Sequence, residues 1–340
     1  MSDMKESINC AILGLGRLGY WHACNLAKIK GANLTCVVDP LEGRAEQAAR
    51  ELGAEKWSQD VEDIIKDDNI EAVVIVTPTS THAELLTKMA DAKKHIFVEK
   101  PLTQYVSEAD QVIDVIRKNQ VFCQVGFMRR FDPDYAEAKR RIQNGDIGQP
   151  LYFKGVSRDG NIPPVEFLKN SGGIFLDLAI HEYDIARYLL DQEISEIHST
   201  GSVLLHSFMK DLNDADSANS YLTFDQGAAG DIEASWIAHN VYDVRGEVIG
   251  SEGAIQIGSM RRRNINILNK SGSRHELISD FPAKFKDAYY LEVEHFIDSL
   301  RKSKAPLCNE IDGRIALEAA AAATKSFHTN KPVKLQAIYS

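Results

Sequence analysis

Ile8-Asn9-Cys10-Ala11-Ile12-Leu13, followed at once by Gly14-Leu15-Gly16-Arg17-Leu18-Gly19, decides how the first half of the chain folds. The six residues make an apolar, β-branched run of the kind buried on both faces of a sheet, and the glycine-spaced segment opens an amphipathic helical pattern over residues 17–29. The alternation continues downstream. Strand-like runs recur at 34–38, 72–76, 95–98 and 121–127, with amphipathic stretches at 44–52, 83–92 and 107–118 among them. Strands alternating with helices require right-handed crossovers, so residues 1–130 are expected to form a doubly wound α/β domain, a parallel sheet with helices on both sides.

In that setting the three glycines have distinct uses: a tight turn, a close backbone approach to a pyrophosphate, and close helix–sheet packing, with Arg17 and Leu18 in the first helical turn. The second run ends in Val37-Val38-Asp39, and Asp39 lies 20 residues after Gly19. A carboxylate there accepts hydrogen bonds from a ribose 2′-hydroxyl and repels a 2′-phosphate, which favours NAD over NADP. Open parallel sheets gather ligands at the carboxyl ends of their strands. Thr77-Pro78-Thr79, Glu99-Lys100-Pro101 and Gly126 to Arg130 follow the third, fourth and fifth runs. Thr79 and Ser80 read equally as helix caps or cofactor contacts, and His82 reads by position as a surface histidine in the first turn of the next helix. Lys100 leaves a buried strand beside an acid and a proline. Alone, such a pair reads as surface charge; in a ligand site its ammonium would polarise a carbonyl or stabilise an alkoxide.

Beyond Arg130 the pattern changes. An amphipathic segment at 135–144 gives way to strand signals at 151–157, 196–205, 219–224, 230–237, 244–249 and 254–257, the last two joined by Gly250-Ser251-Glu252-Gly253. Adjacent strands with short glycine turns pair antiparallel, so residues 131–340 are expected to form an α+β domain with a mostly antiparallel sheet. Helices are expected at 175–190, 288–302 and 311–328, the C-terminal one packing back towards the first domain. Within the first of these Asp177 and His181 stand at i and i+4, where a carboxylate can hold an imidazole as a proton acceptor near neutral pH. The alternative is an acid at a helix terminus and an unrelated core histidine. Ile185 stands where an HExxH motif would need its second histidine, and no GxSxG elbow occurs, so neither a metal nor a serine nucleophile is expected.

Of 340 residues, 44% are hydrophobic and 26% charged, enough for a large core in about two domains. The net charge of −10 disfavours a nucleic-acid partner. No apolar run approaches the roughly 20 residues that cross a bilayer, and the first residues carry no apolar signal-like region, so no membrane partner is expected. Five cysteines without CxxC spacing, three of them in strand-like runs, fit reduced thiols in the cytoplasm.

Gly14-x-Gly16-x-x-Gly19, Glu99-Lys100-Pro101 and Asp177-x-x-x-His181, in that order across the chain, resemble the glucose–fructose oxidoreductase and inositol dehydrogenase superfamily. Gly126-Phe127-Met128-Arg129-Arg130-Phe131-Asp132 is similar to the inositol 2-dehydrogenase branch, as are Ser157-Arg158-Asp159, Ser171-Gly172-Gly173 and Tyr242-Asp243 with the segment 248–253. Phe131 stands where many inositol relatives have tyrosine. The resemblance implies a Rossmann domain, a second domain whose open-faced sheet packs subunits together, and a cytoplasmic homotetramer in inositol catabolism. It implies oxidation of a myo- or scyllo-inositol hydroxyl to the inosose, with hydride passing from the cyclic polyol to nicotinamide C4. Dehydrogenation of another sugar, or a catalytically silent NAD-binding regulator on the same fold, are the alternatives. His181 would take the hydroxyl proton, Asp177 would orient that histidine, and Lys100 would steady the substrate oxygen. Met128, Arg129, Asp159 and Tyr242 would join these three around the polyol. Gly14, Gly16, Arg17, Leu18, Gly19, Asp39, Thr77, Thr79, His82, Glu99 and Lys100 would bind NAD. Asp132 and Asp134 are expected to neutralise a neighbouring arginine, which fits an uncharged substrate.

Overall fold

A computed structural model describes residues 5–239 and 242–335. Continuous apolar runs become strands with both faces covered, and β1 (Ile8–Leu13), β2 (Ala32–Val38) and β3 (Lys56–Ser58) pair parallel in that order outward. The chain then returns to the other side of β1 with β4 (Ala72–Ile75), β5 (His95–Glu99) and β6 (Cys123–Gly126), giving a six-stranded parallel sheet ordered β3-β2-β1-β4-β5-β6. The order reverses between β1 and β4, the switch point at which doubly wound sheets bind ligands. Crossovers run through α1 (Arg17–Leu26), α2 (Arg44–Leu52), α3 (Glu62–Lys66), α4 (His82–Asp91) and α5 (Val106–Asn119). β3 and α3 are additions to the sequence reading: Lys56-Trp57-Ser58 is too short and too polar to register as a run, and it forms by pairing with Cys36, Val37 and Val38.

The described chain divides into two compact units, Met1–Phe131 with Asp287–Arg314, and Asp132–Lys286 with Ile315–Ser340. The first boundary lies one residue from the sequence cut. A single cut does not describe the chain, however, because residues 287–314 return to the first unit. There Val293, Phe296, Ile297 and Leu300 pack into one apolar cluster with Ile12, Ala23, Leu26, Val37, Val74 and Phe97.

The second unit begins with α6 (Pro133–Gln143) and β7 (Pro150–Asp159), then three helices, α7 (Val165–Leu168), α8 (Gly173–Asp177) and α9 (Ile180–Leu190). Strands β8 (Ile194–Ser202), β9 (Ser217–Phe224), β10 (Ala229–Ser235), β11 (Tyr242–Gly250) and β12 (Ala254–Ile257) follow, and a small hairpin is made by β13 (Ile267–Asn269) and β14 (Gly272–Arg274). The chain ends with α10 (Phe281–Arg301), α11 (Glu310–Thr329) and β15 (Val333–Lys334). α10 from Asp287 onward belongs to the first unit, and α11 beyond Arg314 to the second.

The second sheet is ordered β12-β11-β7-β10-β9-β8-β15, and only β7 and β10 pair parallel. Its alternation separates two faces. Phe153, Gly155 and Ser157 of β7 and Ala218, Ser220, Leu222 and Phe224 of β9 are buried. On the other face Lys154–Asp231 and Arg158–Glu233 pair across β7 and β10, and Tyr221 is exposed. One expectation is corrected here: residues 175–190 are not a single helix. α8 stops at Asp177, Leu178 (φ −98°, ψ −53°) and Ala179 intervene, and α9 starts at Ile180. Asp177 therefore closes one helix and His181 opens the next.

The tightest contact in the first unit is between Gly19 and Gly14, where a Cβ on residue 19 would lie 2.0 Å from the Gly14 carbonyl oxygen. That oxygen belongs to backbone and cannot swing away. Gly19→Ala is expected to lower stability by about 3 kcal/mol or more, measured by denaturant or thermal unfolding. A variant as stable as the wild type would contradict the contact.

Candidate active site

The turn after β1 is built from its glycines upward. Gly14 has φ +89°, its N–H donates to the Val38 carbonyl at 2.8 Å, and a Cβ there would meet the Val76 carbonyl at 2.5 Å. Gly16 is the N-cap of α1, and a Cβ on it would meet nothing within 4 Å. No side chain caps α1 and no acid stands in its first turn, so the positive end of the helix at Arg17 and Leu18 faces open space beside Gly16. This open cradle fits the diphosphate of a dinucleotide.

Asp39 is buried at the end of β2 and does more than the sequence suggests. Its Oδ2 accepts the Leu15 N–H at 2.8 Å and its Oδ1 the Leu41 N–H at 3.0 Å, which ties the glycine turn to the second strand. Arg44, absent from the sequence reading, reaches Oδ2 at 3.3 Å with its guanidinium partly exposed.

After β4, the Thr77 and Thr81 hydroxyls lie 2.7 Å apart, and Thr81 donates to the Pro78 carbonyl. Thr81, rather than Thr79 or Ser80, occupies the N-cap of α4, and no side chain caps that helix. Thr79 is half-buried in the short turn before α4. His82 is not a surface histidine, and the expectation is corrected: it is 1% exposed, with Nδ1 2.9 Å from the Pro101 carbonyl and Nε2 3.1 Å from that of Thr77. Burial pushes its pKa down against the pull of those two carbonyls, and its two ring nitrogens tie the loops after β4 and β5 together.

The loop after β5 carries Lys100, half-buried, and its bond to Pro101 is cis. The Lys100 N–H donates to Oε2 of Glu99 at 3.2 Å, while Oε1 of Glu99 lies 2.7 Å from Nε2 of His22 on α1. The same His22 nitrogen is 4.0 Å from Oε1 of Glu292 on α10. Glu292 is fully buried, and burial first, then the Glu99 charge, raises its carboxyl well above the ordinary 4.5. Sequence reasoning missed His22 and Glu292. The available signal was periodicity: His22 shares the buried face of α1 with Gly19, Ala23 and Leu26, and Glu292 is next to Val293 on the apolar face of α10.

Met128, Arg129 and Arg130 follow β6 in a buried 3-10 turn. Arg130 donates to the Leu307 carbonyl at 3.1 Å and pairs with Asp312 at 2.9 Å. Of the nearby acids, Asp132 caps α6, accepting the N–H groups of Asp134 and Tyr135, while Asp312 forms the ion pair with Arg130.

In the second unit, strand register places Tyr242 directly opposite Asp159, and Asp159 follows the buried alternation of Phe153, Gly155 and Ser157. The α9 helix covers that face, since a Cβ on Gly155 would lie 2.7 Å from the Glu182 carboxylate. His181, the neighbour of Glu182, is buried in the first turn of α9. Burial raises the Asp159 carboxyl against two hydrogen bonds from Asn161, and the charges of Asp280 and Asp177 raise it further. Asp159, Asp177, His181 and Tyr242 thus gather on the helix-covered side of the second sheet.

Residues 8–127 match the model of an oxidoreductase family, GFO/IDH/MocA, described as its NAD-binding Rossmann fold, and residues 139–335 match the model of its C-terminal alpha/beta domain. The chain belongs to the GFO/IDH/MocA family. A scyllo-inositol 2-dehydrogenase (NAD(+)) of Bacillus subtilis is 52% identical over 333 residues, covering 98% of this chain and 97% of the relative. A myo-inositol 2-dehydrogenase of Thermotoga maritima is 37% identical over 96% of this chain and 98% of the relative. Among solved structures, scyllo-inositol dehydrogenase from Lactobacillus casei with bound NAD(H) and scyllo-inositol superposes with a TM-score of 0.92 at 29% identity, covering 96% of this chain and 99% of that one. The family's NAD-binding domain is thus the unit whose glycine cradle and Asp39 were described above.

Glu292, in the part of α10 that belongs to the first unit, supplies a pH test. With its carboxyl raised in the folded chain, the group holds a proton that the unfolded chain releases above pH 4.5. Its contribution to stability is full below that pH and falls as pH rises, by up to about 1.4 kcal/mol per unit, until the folded carboxyl itself ionises. Glu292→Gln has no proton to lose. Its Tm is expected to exceed that of the wild type at pH 8, with the gap closing towards pH 4.5; a gap independent of pH would contradict the buried acid.

Proposed function

We propose that the chain oxidises one ring hydroxyl of an inositol to the inosose with NAD, scyllo-inositol before myo-inositol. The observation that carries this reading is the near full-length 52% identity to a scyllo-inositol 2-dehydrogenase on a chain that has Lys100, Asp177 and His181. When bound, NAD supplies a hydride acceptor at its nicotinamide. His181 takes the hydroxyl proton as the ring carbon loses its hydride, and Asp177 orients and charges that imidazole. Lys100 steadies the oxygen as it becomes a carbonyl. Met128 and Arg129 in the first unit, and Asp159 and Tyr242 in the second, are the further polyol contacts of this reading; the raised carboxyl of Asp159 suits a hydroxyl partner better than a cation. Gly14 to Gly19 and Asp39 hold the dinucleotide, with Thr77, Thr79, Glu99 and Lys100 at the neighbouring strand ends. His82 acts through the loops it ties.

The reading includes a cytoplasmic homotetramer in inositol catabolism. The five cysteines are free, and the uncovered face of the second sheet exposes Tyr221 and Ile249, apolar surface suited to subunit packing. Light scattering should give about four times the 37.8 kDa chain mass.

NADH formation across a panel of inositols and aldoses tests the activity. His181→Ala should lower kcat by about 10²–10⁴-fold with NADH affinity nearly unchanged. Normal turnover by that variant, or inert inositols beside a reactive phosphorylated or carboxylated sugar, would sink the reading. Asp39→Ala should narrow the preference for NAD over NADP. Arg44, already beside the carboxylate, keeps the wild-type preference finite. Equal use of both cofactors by the wild type would contradict the role of Asp39.

A further inference from the structure

The His22, Glu99 and Glu292 side chains are buried together in the first unit, with their ligand-type atoms within 4.8 Å of one another. Two carboxyl groups and an imidazole in such a place can be reconciled by a metal ion or by protons. The geometry decides between them. Around a cation at the usual 2.0–2.2 Å, tetrahedral ligands stand about 3.4 Å apart, whereas His22 Nε2 and Glu99 Oε1 are 2.7 Å apart, a direct hydrogen bond. His22 and Glu99 form a hydrogen-bonded pair, and the Glu292 carboxyl lies beside it at 4.0 Å from the same nitrogen. Both oxygens of Glu99 are committed, Oε1 to His22 and Oε2 to the Lys100 N–H, and its carboxylate lies against Gly126, where a Cβ would come within 3.1 Å of it.

Behind this carboxylate the imidazole has little freedom. Its ring lies 5.4 Å from that of Phe97 and 5.6 Å from that of Tyr289, and Gln124 Nε2 donates at 2.7 Å to the Glu292 carbonyl, anchoring α10 at that level. We propose that His22 is a positioning residue for Lys100: it fixes the Glu99 carboxylate, which in turn fixes the Lys100 backbone, with Glu292 as the wall behind the imidazole. The inference rests on the reading that Lys100 steadies the substrate oxygen. A lysine rooted in a loop reaches its target reproducibly only when its backbone is held, and small misplacements can cost up to about a hundredfold in rate.

The titratable groups facing the imidazole are Glu99, Glu292 and Tyr289, so the pH profile of kcat is one readout that mere loss of packing would not move. His22→Leu removes the donor and keeps an apolar side chain. His22→Gln retains an N–H near the position of Nε2. The leucine variant is expected to show faster amide hydrogen exchange at Lys100, without faster exchange across the rest of the sheet. It should also show a kcat for inositol oxidation lowered about tenfold or more with KM for NAD within about threefold, and an altered pH profile. The glutamine variant should restore most of both. Should the leucine variant fail to fold, Gly126→Ala presses on the same carboxylate from the opposite side and should change exchange and kcat in the same direction. Unchanged Lys100 exchange in these variants, faster exchange with unchanged kcat, or failure of glutamine to rescue would overturn the proposal. One tightly held divalent cation per chain, found by elemental analysis, would also overturn it. Exchange needs no substrate, so a wild type inert towards inositols would defeat the assigned activity while Lys100 exchange still judged the positioning by His22 and Glu99.

Discussion

The Gly14 carbonyl occupies the place where a side chain on residue 19 would begin. Because both positions are glycine, α1 can start immediately after β1 and leave its N-terminus open over Gly16. Asp39 holds the turn from the neighbouring strand through the Leu15 N–H, and the Leu15 side chain is buried in the apolar cluster below it. A close backbone contact within the turn and a carboxylate from the end of β2 together shape the cradle. The same helix buries His22 one turn further on, against Glu99 at the end of β5. Cofactor cradle and lysine loop are thus both tied to one short helix, the first at its N-terminus and the second one turn along it.

In the second unit the governing constraint is the two-residue period of β7. Phe153, Gly155 and Ser157 face the helices, so Asp159 must follow them, and antiparallel pairing delivers Tyr242 opposite it. Arg158 points the other way and pairs with Glu233. A one-residue slip of register would exchange these sets and bring an arginine in place of the acid. The break after Asp177 is equally consequential: two helices aim two side chains independently, where one continuous helix would fix their relation by pitch alone.

Much of this was legible in the sequence. The apolar runs of the first unit are long because both sheet faces are covered, and such runs announce themselves; β2 extends only two residues beyond the expected start at 34, and α2 matches its expected bounds. Short elements whose stability comes from pairing escaped, as with Lys56–Ser58 and Val333–Lys334, since neither carries a period. The glycine cradle and Asp39 could be read because they are local. His82 was misread because first-turn helical positions are usually solvated, and its burial depends on the loop at Pro101, nineteen residues away. The His22–Glu292 relationship spans 270 positions, a separation at which no local pattern operates.

Oxidation of an inositol by NAD moves a hydride from a ring carbon to the nicotinamide. Incubating the enzyme with NAD and scyllo-inositol deuterated at its ring carbons, then recording the NMR spectrum of the reduced cofactor, tests it directly. One deuterium is expected at nicotinamide C4 in each NADH formed, with slower turnover than on unlabelled substrate if hydride transfer limits the rate. NADH free of deuterium, or no NADH at all, would contradict it.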